Sequence, residues 1–133
     1  MAAPTADDLT QVPLLAKLSD DDRAALAPRF EVEERSPGSR LVTQGTSGYA
    51  FYVLAEGQAV VEQDGRTLRE LGPGDHFGEY AIIGEGRRTA TVTALTPVTV
   101  WALFGTEFRQ LESSRPDLAD ELRRAMDERL GDG

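Results

Sequence analysis

The run Ala59-Val60-Val61-Glu62-Gln63-Asp64-Gly65-Arg66-Thr67-Leu68-Arg69-Glu70-Leu71 reads as two strands joined by a two-residue turn. Both central turn positions need positive φ, which glycine adopts without a Cβ clash and aspartate tolerates, so Asp64-Gly65 sets the register of the pair. Outward from this hairpin, residues 30 to 104 carry short β-rich runs between the turn clusters Ser36-Pro37-Gly38, Gly45-Thr46-Ser47-Gly48, Gly72-Pro73-Gly74-Asp75 and Gly84-Glu85-Gly86. Such spacing suits an antiparallel sandwich or roll of about eight strands. Near its end, Ala90, Val92 and Ala94 alternate with Thr91 and Thr93. Val98, Val100, Ala102 and Phe104 alternate in turn with Thr99 and Trp101, so both strands are expected to put one face in the core, and Trp101 reads as a core residue.

Helical patterns flank the strands. Val12, Leu14, Leu15 and Leu18 recur at helical spacing, and Ser19 before Asp20, Asp21 and Asp22 reads as an N-cap with acids in the first turn. Two short helices are therefore expected before the first strand. After Phe104, Thr106 can cap a turn holding Phe108 and Leu111. Pro116-Asp117 then opens a helix with Leu118, Leu122, Ala125, Met126 and Leu130 on one face, ended by Gly131. The fold class is mainly β with flanking helices (α+β): an antiparallel β-roll or jelly-roll over about 30–104 and carboxy-terminal helices over about 105–130, in one domain spanning 1–133.

Composition excludes several classes of function. At 133 residues the chain suffices for one domain and is too short for two ordinary ones. A net charge of −9, with arginines interspersed among acids, argues against a nucleic-acid surface, which needs a basic stripe. With no cysteine and a single histidine, His76, the chain has no thiolate nucleophile, disulfide, iron–sulfur cluster or ordinary zinc cage. The longest apolar run, 50–55, cannot span a bilayer, and residues 1–8 lack the basic and apolar regions of a signal peptide. The expectation is a cytoplasmic protein. One Lys, two Ile and no Asn beside abundant Ala, Arg, Asp and Gly fit GC-rich coding of a bacterial kind.

The chemistry concentrates in Phe77-Gly-Glu-Tyr-Ala-Ile-Ile-Gly-Glu-Gly-Arg-Arg-Thr-Ala-Thr-Val92. Here a carboxylate and a guanidinium stand nine positions apart in a glycine-marked, otherwise apolar segment. Gly78 lets backbone approach a ligand, Glu79 accepts hydrogen bonds from a sugar hydroxyl, and Arg88 offers a planar fork matched to two phosphate oxygens. Thr89 adds a hydroxyl beside that fork. In isolation the same two residues would suit an ordinary Glu–Arg ion pair on a loop.

The run Phe77-Gly78-Glu79-x-Ala81-Ile82-Ile83, followed without a gap by Arg88-x-Ala90-Thr91-Val92, resembles the phosphate-binding cassette of cyclic-nucleotide-binding domains. Such domains occur in the catabolite activator protein and in protein-kinase regulatory subunits. Gly45, Phe51-Tyr52-Val53-Leu54, Gly57 and Pro73-Gly74-Asp75 fall where that family keeps its loop glycines, so the resemblance covers about residues 10 to 130. It implies a ligand site of Phe77, Gly78, Glu79, Tyr80, Ala81, Arg88, Thr89 and Ala90. Glu79 would accept from the ribose 2′-hydroxyl, and Arg88 would pair with the exocyclic oxygens of the cyclic phosphate. Two positions depart from the family's pattern: Arg87 stands where proline is common and Tyr80 where leucine is. Neither removes a contact group. Cyclic AMP is placed first as ligand, while Thr89 keeps cyclic GMP open through a bond to a guanine amino group. The base is expected against Val61, Leu68 and Leu71, beneath a lid from the last helix with Leu122, Met126 and Arg129 as the lid residues.

The resemblance thus implies a regulatory module whose carboxy-terminal helix closes over the bound nucleotide. It is not read as an enzyme, since the sequence has no nucleophile–base pair, metal cluster or Walker loop. No cofactor, nucleic acid or membrane is expected. The partners are a cyclic nucleotide and an effector protein or output domain outside this chain; the apolar stripe of the last helix can either pair with a second copy or cover its own domain, and not both fully at once. Two alternatives stay open: a ligand-independent interaction module of the same fold, and a sensor fragment of a larger transcription regulator, transporter or enzyme. His76 as a heme ligand would leave the Glu79 and Arg88 pair unexplained, so it reads as a loop histidine.

Overall fold

Thr5 opens the first helix through a capping box: its hydroxyl accepts from the Asp8 N–H, and the Asp8 carboxylate accepts from the Thr5 N–H. The computed structural model describes residues 3–43, 50–79 and 90–132, with side chains at the carboxy-terminal end described to Met126. Three short α-helices precede the first strand instead of two: α1 (Ala6–Leu9), α2 (Pro13–Ala16) and α3 (Asp20–Leu26), followed by a 3-10 turn at Ala27–Arg29. The extra break falls at Pro13, which lacks an N–H for a helix interior and sits instead at the first turn of α2. Ser19 caps α3 as expected, its hydroxyl accepting from the Asp22 N–H at 3.1 Å.

The described strands are β1 (Glu31–Arg35), β2 (Arg40–Val42), β3 (Ala50–Glu56), β4 (Ala59–Gln63), β5 (Arg66–Leu71), β6 (His76–Phe77), β7 (Thr91–Ala94) and β8 (Val98–Phe104). They form two four-stranded antiparallel sheets, β1-β8-β3-β6 and β2-β7-β4-β5. In the β4–β5 hairpin Asp64 and Gly65 both take positive φ, 53° and 79°, as its sequence requires. The turn clusters at 45–48 and 84–86 lie outside the described residues.

One apolar core fills the space between the sheets, built from Tyr52, Leu54, Val61, Leu71, Val92, Val100 and their neighbours. A second packs the helices onto the outer face of the β1-β8-β3-β6 sheet through Phe51, Val53 and Leu103. The expected single buried face therefore fails for β8, where Thr99 and Leu103 are buried as well as Val98, Val100 and Ala102. A sheet covered by strands on one side and helices on the other leaves no outward face for alternation to mark. Trp101 is half-buried at the margin of the helical layer, its ring 6.4 Å from that of Phe30.

Two helices close the chain, α4 (Gly105–Ser114) and α5 (Pro116–Asp132). Thr106 lies inside the first turn of α4 and does not cap it; Phe104 holds the capping position without a side-chain bond. The last helix opens at Pro116 as expected but runs through Gly131 to Asp132. Among the described residues no helix is long and apolar enough to cross a membrane.

Candidate functional site

A short turn anchors the site to the sheet. The Gly72 N–H donates to the Asp75 carboxylate at 2.8 Å, the Leu54 N–H to the Asp75 carbonyl at 2.8 Å, and the Gly74 N–H to the Leu54 carbonyl at 2.9 Å. The turn therefore delivers β6 to β3 in register, with His76 opposite Val53 and Phe77 opposite Tyr52. Phe77 is buried in the inter-sheet core and stacks on Tyr52, centroids 5.2 Å apart. His76 is thus a strand residue, contrary to its reading as a loop histidine, because pairing with β3 begins directly after the turn that ends at Asp75.

Gly78 follows at φ 83°, in the left-handed region that a side chain would strain. That reversal swings Glu79 back onto His76: Nδ1 of His76 stands 2.5 Å from Oε1 of Glu79, with the two side chains only 10% and 13% exposed. An ionised carboxylate only accepts, so the ring proton belongs on Nδ1. Burial by itself would raise the Glu79 pKa. The hydrogen bond and charge of His76, the backbone amide of Glu79 and the charge of Arg69 together outweigh it and hold the carboxyl below its ordinary value of 4.5. Glu79 is consequently a buried, ionised acceptor whose second oxygen is not engaged by His76.

Arg69 lies on β5, the outer strand of its sheet, which is exposed along five of its six residues. Pairing passes from Val61↔Arg69 to Glu62↔Thr67, leaving Leu68 as the extra residue of a bulge and 55% exposed. Of the three residues expected against a base, Leu68 alone offers a broad apolar surface, since Val61 and Leu71 are 8% and 0% exposed in the inter-sheet core. Leu122 and Met126 are likewise at 0%, sealed in the helical core, and neither presents surface to a base in this arrangement. Their stripe faces the amino-terminal helices because those supply the nearest apolar cover. Ala90 is half-buried against the inter-sheet core. Tyr80, Ala81, Arg87, Arg88, Thr89 and the side chain of Arg129 lie outside the described residues.

Sequence reasoning missed two members of this neighbourhood, His76 as the partner of Glu79 and Arg69 as a nearby cation. A histidine three residues before the carboxylate, with an intervening glycine, is the signal that marks the first. Nothing in the sequence marks the second, since a strand crossing brings it close. A separate cleft of about 380 Å³ opens between the amino-terminal segment and β3, lined by Asp8, Gln11, Glu56, Pro73 and Trp101 among others. None of the described residues lining it is cationic, which suits it poorly to a phosphate. Among the described residues no three metal-ligating side chains cluster.

Residues 32–115 match the family model described as cyclic nucleotide-binding domain. The chain is 36% identical over 129 residues to cGMP-dependent protein kinase isozyme 1 of Drosophila melanogaster, covering 87% of this chain and 17% of the kinase. It is 39% identical over 106 residues to the cAMP-dependent protein kinase regulatory subunit of Eremothecium gossypii, covering 79% of this chain and 23% of the subunit. Among solved structures, the N-terminal domain of a transcriptional regulator from Streptomyces coelicolor A3(2) superposes with a TM-score of 0.80 at 34% identity, covering 95% of this chain and 94% of that one. The chain thus spans about a fifth of the length of the two kinase-related relatives.

Proposed function

Because this chain belongs to the cyclic nucleotide-binding domain family, we propose that its 77–90 segment grips a cyclic mononucleotide, cyclic AMP ahead of cyclic GMP, and that the bound ligand controls an output carried by other sequence. The observation that supports this most is Glu79, a buried carboxylate held ionised directly after a left-handed Gly78. In this reading Glu79 accepts from the ribose 2′-hydroxyl, Arg88 pairs with the exocyclic phosphate oxygens, and Leu68 lies against the base. The hydroxyl of Thr89 is the feature that would favour cyclic GMP. The domain itself is regulatory and not catalytic, and the output is an effector protein or an attached domain.

Binding is communicated through α5, which closes toward the ligand as a body. Leu122 and Met126 act in this as the packing that holds or releases the helix, and not as caps on the base. A ligand drives such a shift only by its differential affinity for the two arrangements. Trp101, the sole tryptophan, borders the helical layer and reports on it.

Calorimetric titration with cyclic AMP and cyclic GMP, on the wild type and on Arg88→Ala, tests the reading. Wild-type binding that weakens at least tenfold in the variant, accompanied by a change in Trp101 emission, is the expected result. Silence with both nucleotides, in protein freed of carried-over ligand, overturns it in favour of a ligand-independent interaction module.

A further inference from the structure

We propose that His76 is a positioning residue for ribose recognition: by holding Oε1 of Glu79 it turns the other carboxylate oxygen toward the sugar hydroxyl. The inference rests on the functional reading above and adds a residue to it.

His76 is fixed from three directions. Its backbone pairs with Val53 in the β3–β6 ladder, its ring lies 5.7 Å from that of Phe51 at 46°, and its Nδ1 meets Glu79 at 2.5 Å. With 10% of its side chain exposed, it is a fixed donor and not a surface group that happens to lie near an acid. From β3 it meets Phe51 and Val53, which bring no charge. The preceding Asp75 is committed to the Gly72 N–H, and Arg69 acts on Glu79 from β5. Among the described residues, His76 is therefore the one directional side-chain partner of the carboxylate.

The chemistry needs that partner. A ribose hydroxyl that donates requires an acceptor, and a buried carboxyl left to desolvation drifts toward its protonated form, in which one of its two oxygens becomes a donor and the other a weaker acceptor. A χ3 rotation about the last bond of glutamate is broad, so a carboxylate without a fixed donor spreads its oxygens over many directions. His76 contributes most to the ionised state, with the backbone amide and Arg69 adding to it, and Nδ1 sets the orientation. A purely structural His–Glu contact would matter equally for every ligand of the site, whereas a positioning contact matters only for ligands that carry the hydroxyl.

The test compares cyclic AMP with 2′-deoxy cyclic AMP on the full chain and on the His76→Leu, His76→Asn and Arg88→Ala variants. Asparagine places its amide nitrogen near the position of Nδ1 and keeps the donor. In His76→Leu, cyclic AMP affinity is expected to fall about tenfold and that of the deoxy analogue less than about twofold, so the preference for ribose collapses. In His76→Asn the preference is expected to return to within about threefold of the wild type. The deoxy analogue checks the fold of each variant in the same experiment. Equal weakening of both ligands in His76→Leu, no change in either, or no recovery in His76→Asn would each overturn the positioning role. Arg88→Ala should weaken both ligands together, which keeps the two readings apart. A wild type that binds neither ligand overturns the functional reading, and the role of His76 with it.

Discussion

Between the sheets, Leu54 and Val100 are sealed by neighbours that hydrogen-bonded ladders hold in register, whereas in the helical layer Leu122 and Met126 are sealed by neighbours tied together through side chains. Arg29 reaches Glu107 at 3.1 Å, Arg115 reaches Asp22 at 2.8 Å, and Arg123 pairs with Glu112 while lying 5.1 Å from the centre of the Phe108 ring. A strand cannot slip by one residue without turning every side chain to the wrong face. A helix seated by buried apolar side chains and by partly exposed ion pairs, each contributing about 1 kcal/mol or less, has no such register to lose. Glu79 and its partner His76 hang from the ladder-bound layer, beside β3, yet the ring of His76 lies against Phe51, which belongs to the helical core. On the proposed reading, this contact is the short path by which binding at the site would reach the helical layer.

The largest effects should separate the two layers. Leu54→Ala opens a cavity that ladder-bound neighbours cannot fill and should cost about 3–4 kcal/mol in urea unfolding, with binding lost as the roll loosens. Leu122→Ala should cost about 2–3 kcal/mol, since the helices close part of the gap, and should leave nucleotide affinity within about threefold. A large loss of affinity in Leu122→Ala without loss of fold would restore that residue as a lid and break the comparison.

Acid should next strike the rigid side. The folded-state pKa of Glu79 is lowered, so its contribution to stability is fully present above 4.5 and disappears as pH falls through the folded value below that. Nucleotide affinity should decline over the same window, and Glu79→Gln should lose that part of the pH dependence. An identical acid profile in the variant would remove Glu79 as its source. The smallest effect belongs to the ties of the helical layer: Arg115→Ala should cost about 1 kcal/mol or less and yet alter the nucleotide-induced change in Trp101 emission. No alteration there would argue that α5 and its anchors do not carry the response.

Local signals made much of the fold legible. Asp64-Gly65 specified its hairpin because the φ values demanded are a property of two adjacent residues, and Ser19 specified a helix start for the same reason. Legibility failed where burial depends on what lies opposite. The alternation of β8 implied one buried face, but helices distant in sequence cover the other. The stripe of α5 is apolar wherever it packs, and a stripe does not say whether its cover is a base, a second copy or the amino-terminal helices. At the site, Gly78 and Glu79 were legible as a glycine-acid pair, while the grip of His76 on Glu79 depends on β6 being held against β3.

By itself, then, the sequence determined the residue types of a cyclic-nucleotide cassette, the turn chemistry that spaces the strands and the apolar stripes that must be covered. These are set by local backbone preference and by the donors and acceptors each side chain carries. Only the tertiary structure decided that Leu68 is left on the surface while Leu71 is not, that Leu122 and Met126 belong to a helical core, and that the one histidine stands against Glu79. Those outcomes depend on which distant segments share a volume, and shared volume is set by packing of the whole chain, not by any window of it.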